Sequence, residues 1–81
     1  MDNYYYENLL DDLRVGREIH FLYMSESYYI GRGTGQFMFW RFYDAASQII
    51  GKDMDDLLQQ VKLGGLPIKE VWESIVIKEI F

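Results

Sequence analysis

The segment of residues 36–43 constrains the fold most, because it is apolar on both sides of any strand it forms. Alternate side chains of a strand point to opposite faces. One face then carries Phe37, Phe39, Arg41 and Tyr43, and the other carries Met38, Trp40 and Phe42. An antiparallel strand with one wet face is polar on that side. The 81-residue chain has few elements with which to cover both faces. We therefore predict that Met38, Trp40 and Phe42 form an oligomer or partner interface.

The remaining patterning predicts an α+β fold, in which a small antiparallel sheet of four to five strands packs with an N-terminal helix and one or two C-terminal helices. We expect one domain over residues 1–81. A three-and-four spacing predicts the first helix, capped by Asp2 or Asn3 and ended by Gly16. Period-two patterning and turn signals predict the following elements: strands at 17–23, 27–30, 36–43 and 47–50, a helix opened by Asp53, a short helix at 68–74 and a closing strand at 75–81.

Composition excludes several classes of function. The chain has no cysteine, so a disulfide, a zinc site built on cysteine and a thiol nucleophile are impossible. The net charge of −5 disfavours nucleic acid and anionic membranes. It is compatible with a basic protein partner, with mimicry of nucleic acid, or with acidity that only keeps a small protein soluble. We expect no direct binding of duplex nucleic acid. No apolar run approaches the roughly 18 residues that span a bilayer, and the N-terminus lacks the basic start of a signal peptide. We expect a cytoplasmic protein without membrane association.

The residues that carry catalysis are sparse. His20 is the single histidine, and its nearest carboxylate on the same strand face is Glu18, two residues away. No serine stands in a nucleophile motif. The carboxylates at 53, 55 and 56 lie where a helix begins, and the helix dipole explains them. We predict no catalytic residue, no metal site, no cofactor and no enzymatic activity.

The glycine-rich segment at 31–35 permits two interpretations. Three glycines in five residues are typical of a hairpin turn that interrupts the second strand. Glycine amides also approach phosphate closely, while aromatic rings stack on bases and arginine pairs with phosphate. The second interpretation predicts a nucleotide site formed by Tyr28, Arg32, Thr34, Trp40 and Arg41.

Two stretches carry a resemblance. Residues 13–23 contain the order Gly-Arg-Glu-Ile-x-Phe-x-Tyr, and residues 61–72 contain a hydrophobic pair, a glycine turn and Lys-Glu-Val-Trp. In these stretches the chain resembles short proteins of low-GC Gram-positive bacteria and their phages, although Leu66-Pro67 stands where a polar pair is usual. That group includes small immunity and anti-defence proteins. The resemblance implies a protein that acts by sequestering its target in a bacterial or phage-infected cell.

These observations favour a small non-enzymatic binding protein that inhibits or neutralises a partner by sequestration, as a phage anti-defence or immunity-type inhibitor does. One alternative is a sponge that binds a nucleotide-derived signalling molecule through the glycine-rich turn and its flanking aromatic residues. Another alternative is a self-associating structural protein whose 36–43 strand forms a homo-oligomer interface. The partner is thus a protein, a small nucleotide ligand or a second copy of the chain.

Overall fold

A computed structural model describes residues 4–33 and 35–81. The chain forms these elements in order: α1 (Tyr6–Arg14), β1 (Ile19–Tyr23), β2 (Glu26–Arg32), β3 (Phe37–Arg41), β4 (Asp44–Gly51), α2 (Met54–Gln60), a 3₁₀ helix (Ile68–Ser74) and β5 (Ile75–Ile80). The strands form one five-stranded sheet in the order β4-β3-β2-β1-β5, and every neighbouring pair is antiparallel. The predicted α+β fold is confirmed.

The strand register divides the sheet into two faces. Ile19 pairs with Ile30 and with Ile80, and Ile30 pairs with Phe39. His20, in contrast, pairs with Tyr29, which pairs with Trp40. Because side chains alternate along a strand, the first set shares one face and the second set shares the other. This division matches the two faces predicted for residues 37–41.

All of the helices pack against the face that contains Phe39, which we call the covered face. Its core combines sheet residues with residues of α1, α2 and the 3₁₀ helix: Leu9, Leu13, Ile19, Phe21, Ile30, Phe39, Leu57, Val61, Leu63, Ile68 and Val71. Phe21, Tyr28 and Phe39 continue the core as a row of rings with centroids 5.5 to 6.5 Å apart. Burying these aromatic side chains stabilises a chain this short without disulfides.

The predicted start of the second helix is confirmed at Asp53. Its side chain accepts a hydrogen bond from the Asp56 amide at 2.8 Å, and the Asp56 carboxylate accepts one from the Lys52 amide at 3.0 Å. For α1, the predicted caps at Asp2 and Asn3 lie outside the described residues. There the Asn8 side chain accepts a hydrogen bond from the Tyr5 amide at 2.8 Å. Gly16 has a φ of 92° and ends α1 as predicted.

Four predicted strand boundaries were wrong by two residues or more. β1 begins at Ile19 and not at residue 17. β2 continues through Gly31 and Arg32, which pair with Met38 and Phe37, so the glycine segment interrupts the sheet two residues later than predicted. β3 ends at Arg41 and its last two predicted residues form a turn. β4 begins already at Asp44, which bridges Arg41 across that turn with a contact of 2.6 Å. None of the helices formed by residues 4–33 and 35–81 is long and apolar enough to cross a membrane.

Candidate functional site

The face of the sheet opposite the helices carries apolar and aromatic side chains against which none of the helices in residues 4–33 and 35–81 packs. We call it the open face and define it by His20, Leu22, Tyr29, Met38, Trp40, Ile50 and Val76. None of these residues is fully buried, and Ile50 and Val76 are about half exposed, at 46% and 51%. Single exposed apolar residues are ordinary, whereas a contiguous apolar patch marks an interaction surface.

Stacked rings organise the centre of the open face. The Tyr29 and Trp40 rings lie 4.0 Å apart between centroids with an interplanar angle of 21°. The His20 ring stacks on Phe42 at 4.5 Å and 18°. Phe42 belongs to the β3–β4 turn, and its amide donates a hydrogen bond to the Ser27 carbonyl at 2.9 Å. The rings are therefore held in place by the backbone ladder before any partner arrives.

The polar side chains near the centre of the open face are acidic or neutral. The Tyr29 hydroxyl forms a hydrogen bond with Glu18, and burial together with that bond raises the pKa of Tyr29 above its usual value. Nδ1 of His20 lies 3.6 Å from a carboxylate oxygen of Glu79. Nε2 of His20 is buried and has no hydrogen-bond partner among the residues that the structure describes. Lys78 occupies the bulge of β5, at the sheet edge that is far from Trp40.

The three residues predicted as an interface lie on one face. Met38 and Trp40 project from β3 onto the open face, and Phe42 reaches the same face through its stack on His20. The sequence prediction did not include Tyr29, His20, Ala45 and Gln48. Period-two patterning identifies Tyr29 and His20 as neighbours of Trp40 only once the strand register is known.

Of the five residues predicted for a nucleotide site, the four that the structure describes are not brought together. Trp40 lies on the open face, whereas Tyr28, Arg32 and Arg41 belong to the covered side of β2 and β3. Tyr28 pairs with Arg41, but Arg32 pairs with Phe37 four residues further along the strands, about 13 Å away. Thr34 lies outside the described residues. The constellation therefore does not form a single binding site on the described part of the chain.

The two arginines of that constellation are engaged elsewhere. Arg41 donates a hydrogen bond to Asp44 at 2.6 Å, and this carboxylate raises the pKa of Arg41. The Arg32 guanidinium carbon lies 5.7 Å from the centroid of the Phe37 ring, within the range of a cation–π contact. Both guanidinium groups thus have partners within the chain.

The described residues contain no cluster of three or more His, Asp or Glu side chains that could hold a metal ion. Comparison with protein-family models, with curated proteins and with solved structures finds no match to this chain.

Proposed function

We propose that this protein is a non-enzymatic binding protein that acts by occupying a partner protein, and that the open face is its contact surface. One observation carries the proposal. The helices cover a single face of the sheet, and the other face presents stacked aromatic rings and half-exposed aliphatic side chains. Aromatic residues dominate the binding energy of many protein interfaces, since they bury a large area with little loss of side-chain freedom.

The edges of the sheet support a contact through the face. On β5 a bulge lies beside Glu79, and Lys78 and Glu79 place charge along that edge. On β4 the ladder is irregular between the partners of Phe39 and Arg41, and the Ser47 hydroxyl accepts the hydrogen bond of the Arg41 amide at 2.8 Å. Bulges and charges discourage a further strand from pairing at an edge. The face is then the surface with which the sheet can bind.

The narrower function that we propose is inhibition by sequestration, of the immunity or anti-defence type, in the cytoplasm of a bacterial or phage-infected cell. The resemblance in residues 13–23 and 61–72 supports it, and so do the small size and the net charge of −5, which suits a basic target. Sequestration needs a preformed surface and no catalytic groups, and the open face is such a surface.

Self-association is the second candidate function, and the same observation favours it. A second copy can cover the open face of the first and bury the same aromatic residues in a two-fold interface. The nucleotide sponge has no comparable support, because Trp40 and Arg41 point to opposite faces of β3. The first two candidates differ in what the open face contacts, and the experiment below separates them.

The experiment compares affinity capture from a bacterial lysate by three tagged forms of the chain: the wild type, Trp40→Ser and Leu66→Ser. Leu66 is the matched control, an exposed apolar residue outside the open face. We expect wild type and Leu66→Ser to retain one protein in stoichiometric amount and Trp40→Ser to lose it. Sedimentation of the isolated chain tests the second candidate. A dimer that Trp40→Ser dissociates supports self-association, and equal capture by all three forms contradicts the proposal.

A further inference from the structure

A pocket of about 240 Å³ opens on the open face between Trp40 and β4. Residues 45–48 of β4 stand opposite the single residue Trp40, because the register shifts between Phe39 and Arg41. The ladder between β3 and β4 is interrupted at this bulge, and the pocket lies beside the interruption. The pocket is lined by Met38, Trp40, Ala45 and Gln48.

The pocket lies beside the indole of Trp40, a position that suits a flat group, and we call it the slot. Tyr29 on β2 covers one face of the Trp40 indole, at 4.0 Å between centroids. Ala45 and Gln48 line the pocket from the β4 side, so the indole presents its other face to the slot. A planar group can enter between this indole face and β4. Guanidinium groups, aromatic side chains and nucleobases all have the required flatness.

Charge distinguishes among these planar groups. The four residues that line the slot are uncharged, Glu18 forms a hydrogen bond with the neighbouring Tyr29 hydroxyl, and the chain carries a net charge of −5. A nucleotide brings phosphate into this negative field, and a second copy packed face to face brings a second Glu18. A guanidinium group is attracted instead, and the indole face adds a cation–π contact. The Gln48 side-chain oxygen can accept a hydrogen bond from one of the N–H groups of the guanidinium.

We propose that this slot binds the guanidinium group of an arginine side chain from the partner protein, stacked on the free face of Trp40. The inference rests on the proposed function and specifies the chemistry of the partner. Arginine is preferred to lysine because only the guanidinium group is planar and stacks on the ring while it donates hydrogen bonds in its own plane. The partner then carries an exposed arginine within its contact surface.

The test is an NMR titration of the full chain with N-acetyl-arginine methylamide at about 0.15 M salt, where long-range attraction is screened. N-acetyl-lysine methylamide and adenosine monophosphate serve as comparison probes. We expect shifts of the Trp40 indole N–H and of the amides of Ala45 and Gln48, and arginine binding about fivefold tighter than lysine. Shifts spread over the amides of the acidic residues in the helices would overturn the proposal. Binding of the nucleotide more tightly than the arginine probe would overturn it as well.

Matched variants separate the slot from the surrounding surface. Ala45→Leu fills the slot and should weaken arginine binding by about fivefold or more. Ala46→Leu places the same side chain at an exposed neighbouring position outside the slot and should leave Kd unchanged. Gln48→Glu adds a carboxylate and should tighten binding. Thermal unfolding checks that each variant is folded, and Gln48→Glu keeps the test decisive if Ala45→Leu does not fold.

The experimental outcomes distinguish a wrong assignment of the slot from a wrong proposed function. If the arginine probe does not bind while Trp40→Ser still abolishes capture of a partner, the slot assignment is overturned and the binding face stands. If neither effect appears, both proposals are overturned. A dimer that Ala45→Leu dissociates assigns the slot to a second copy and also overturns the inference.

Discussion

The two faces of the sheet use aromatic residues in opposite ways. On the covered face, Phe21 and Phe39 are buried at 2% and 4% exposure and pack with aliphatic residues of the helices. On the open face, Tyr29 and Trp40 stack on each other with closer centroids, at 4.0 Å, yet remain in contact with solvent. The same strands therefore provide both a core and a preformed surface. Aromatic content alone does not indicate which role a ring has.

The difference teaches that the helices decide the role of each ring. Phe39 and Trp40 are neighbours in β3, and one points toward α2 and the other away from it. Removing a ring from the covered face leaves a cavity, whereas water can refill the space of a ring on the open face. The comparison can therefore be tested by substitutions matched across the two faces.

The largest expected effect is the difference in the free energy of unfolding between the variants Phe39→Ala and Trp40→Ala. Phe39→Ala should lower the free energy of unfolding by about 3–5 kcal/mol, because it opens a cavity between the sheet and the helices. Trp40→Ala should lower it by about 1 kcal/mol, the loss of one cross-strand aromatic pair. Urea unfolding followed by circular dichroism measures both. Equal losses would show that the open face is part of the core and would break the comparison.

A smaller effect compares two strand glycines, one directed to each face. A Cβ at Gly51 would lie 2.6 Å from the backbone nitrogen of Leu57 in α2, so Gly51→Ala should cost about 3 kcal/mol. A Cβ at Gly31 would meet Cγ of Glu18 at 2.9 Å, an atom that can rotate away, and Cα and Cβ of Glu18 at 3.1 Å, contacts that a shift of a few tenths of an ångström relieves. Gly31→Ala should cost about 1 kcal/mol. Thermal unfolding of both variants ranks them, and the reverse order would contradict the assignment of faces.

The smallest expected effect on stability comes from two tyrosines, one on each side of the molecule, whose hydroxyl groups form hydrogen bonds with carboxylates. Burial raises the pKa of Tyr4 and of Tyr29, and hydrogen bonds to Asp12 and Glu18 raise them further. The folded chain then keeps these phenolic protons above pH about 10, where the unfolded chain releases them. The corresponding stability is complete below that pH and is lost as the pH rises further.

Urea midpoints at pH about 9 and about 11 test this linkage, because they bracket the ordinary titration of tyrosine. The midpoint of the wild type should fall between the two values, and Tyr4→Phe and Tyr29→Phe should each reduce that fall. The comparison uses the difference between the urea midpoints at the two pH values, so any loss of stability that is equal at both pH values cancels. An unchanged fall in Tyr29→Phe alone would show that the pKa of Tyr29 is not raised in the folded chain.

Much of the fold could be predicted from local patterns. The two-residue alternation of β1 and β3 and the Asp53 cap depend only on nearby residues, and all three are confirmed. The end of β2 could not be predicted, because three glycines in five residues are typical of a turn. Gly31 stays in the strand since it pairs with Met38 and leaves room for Glu18, contacts that form only in the folded chain.

The candidate site was predictable only in part. Alternation placed Met38 and Trp40 together, but the register across the glycine-rich turn decides that Tyr29, and not Tyr28, lies beside Trp40. The slot depends on the bulge of β4, where the Ser47 hydroxyl replaces a ladder partner of Arg41. A bulge of this kind arises from the pairing of two strands and has no signal in either strand alone.

Site-specific photo-crosslinking tests the central claim, that the open face is the contact surface, most directly. A photoreactive phenylalanine analogue replaces Met38 on the open face or, as the matched control, the exposed Gln59 of α2. Each form is irradiated in a lysate of a low-GC Gram-positive bacterium. We predict one defined adduct from position 38, removed by excess unlabelled wild type and retained with excess Trp40→Ser, and none from position 59. Adducts from position 59 alone, or equal adducts from both positions, would contradict the account.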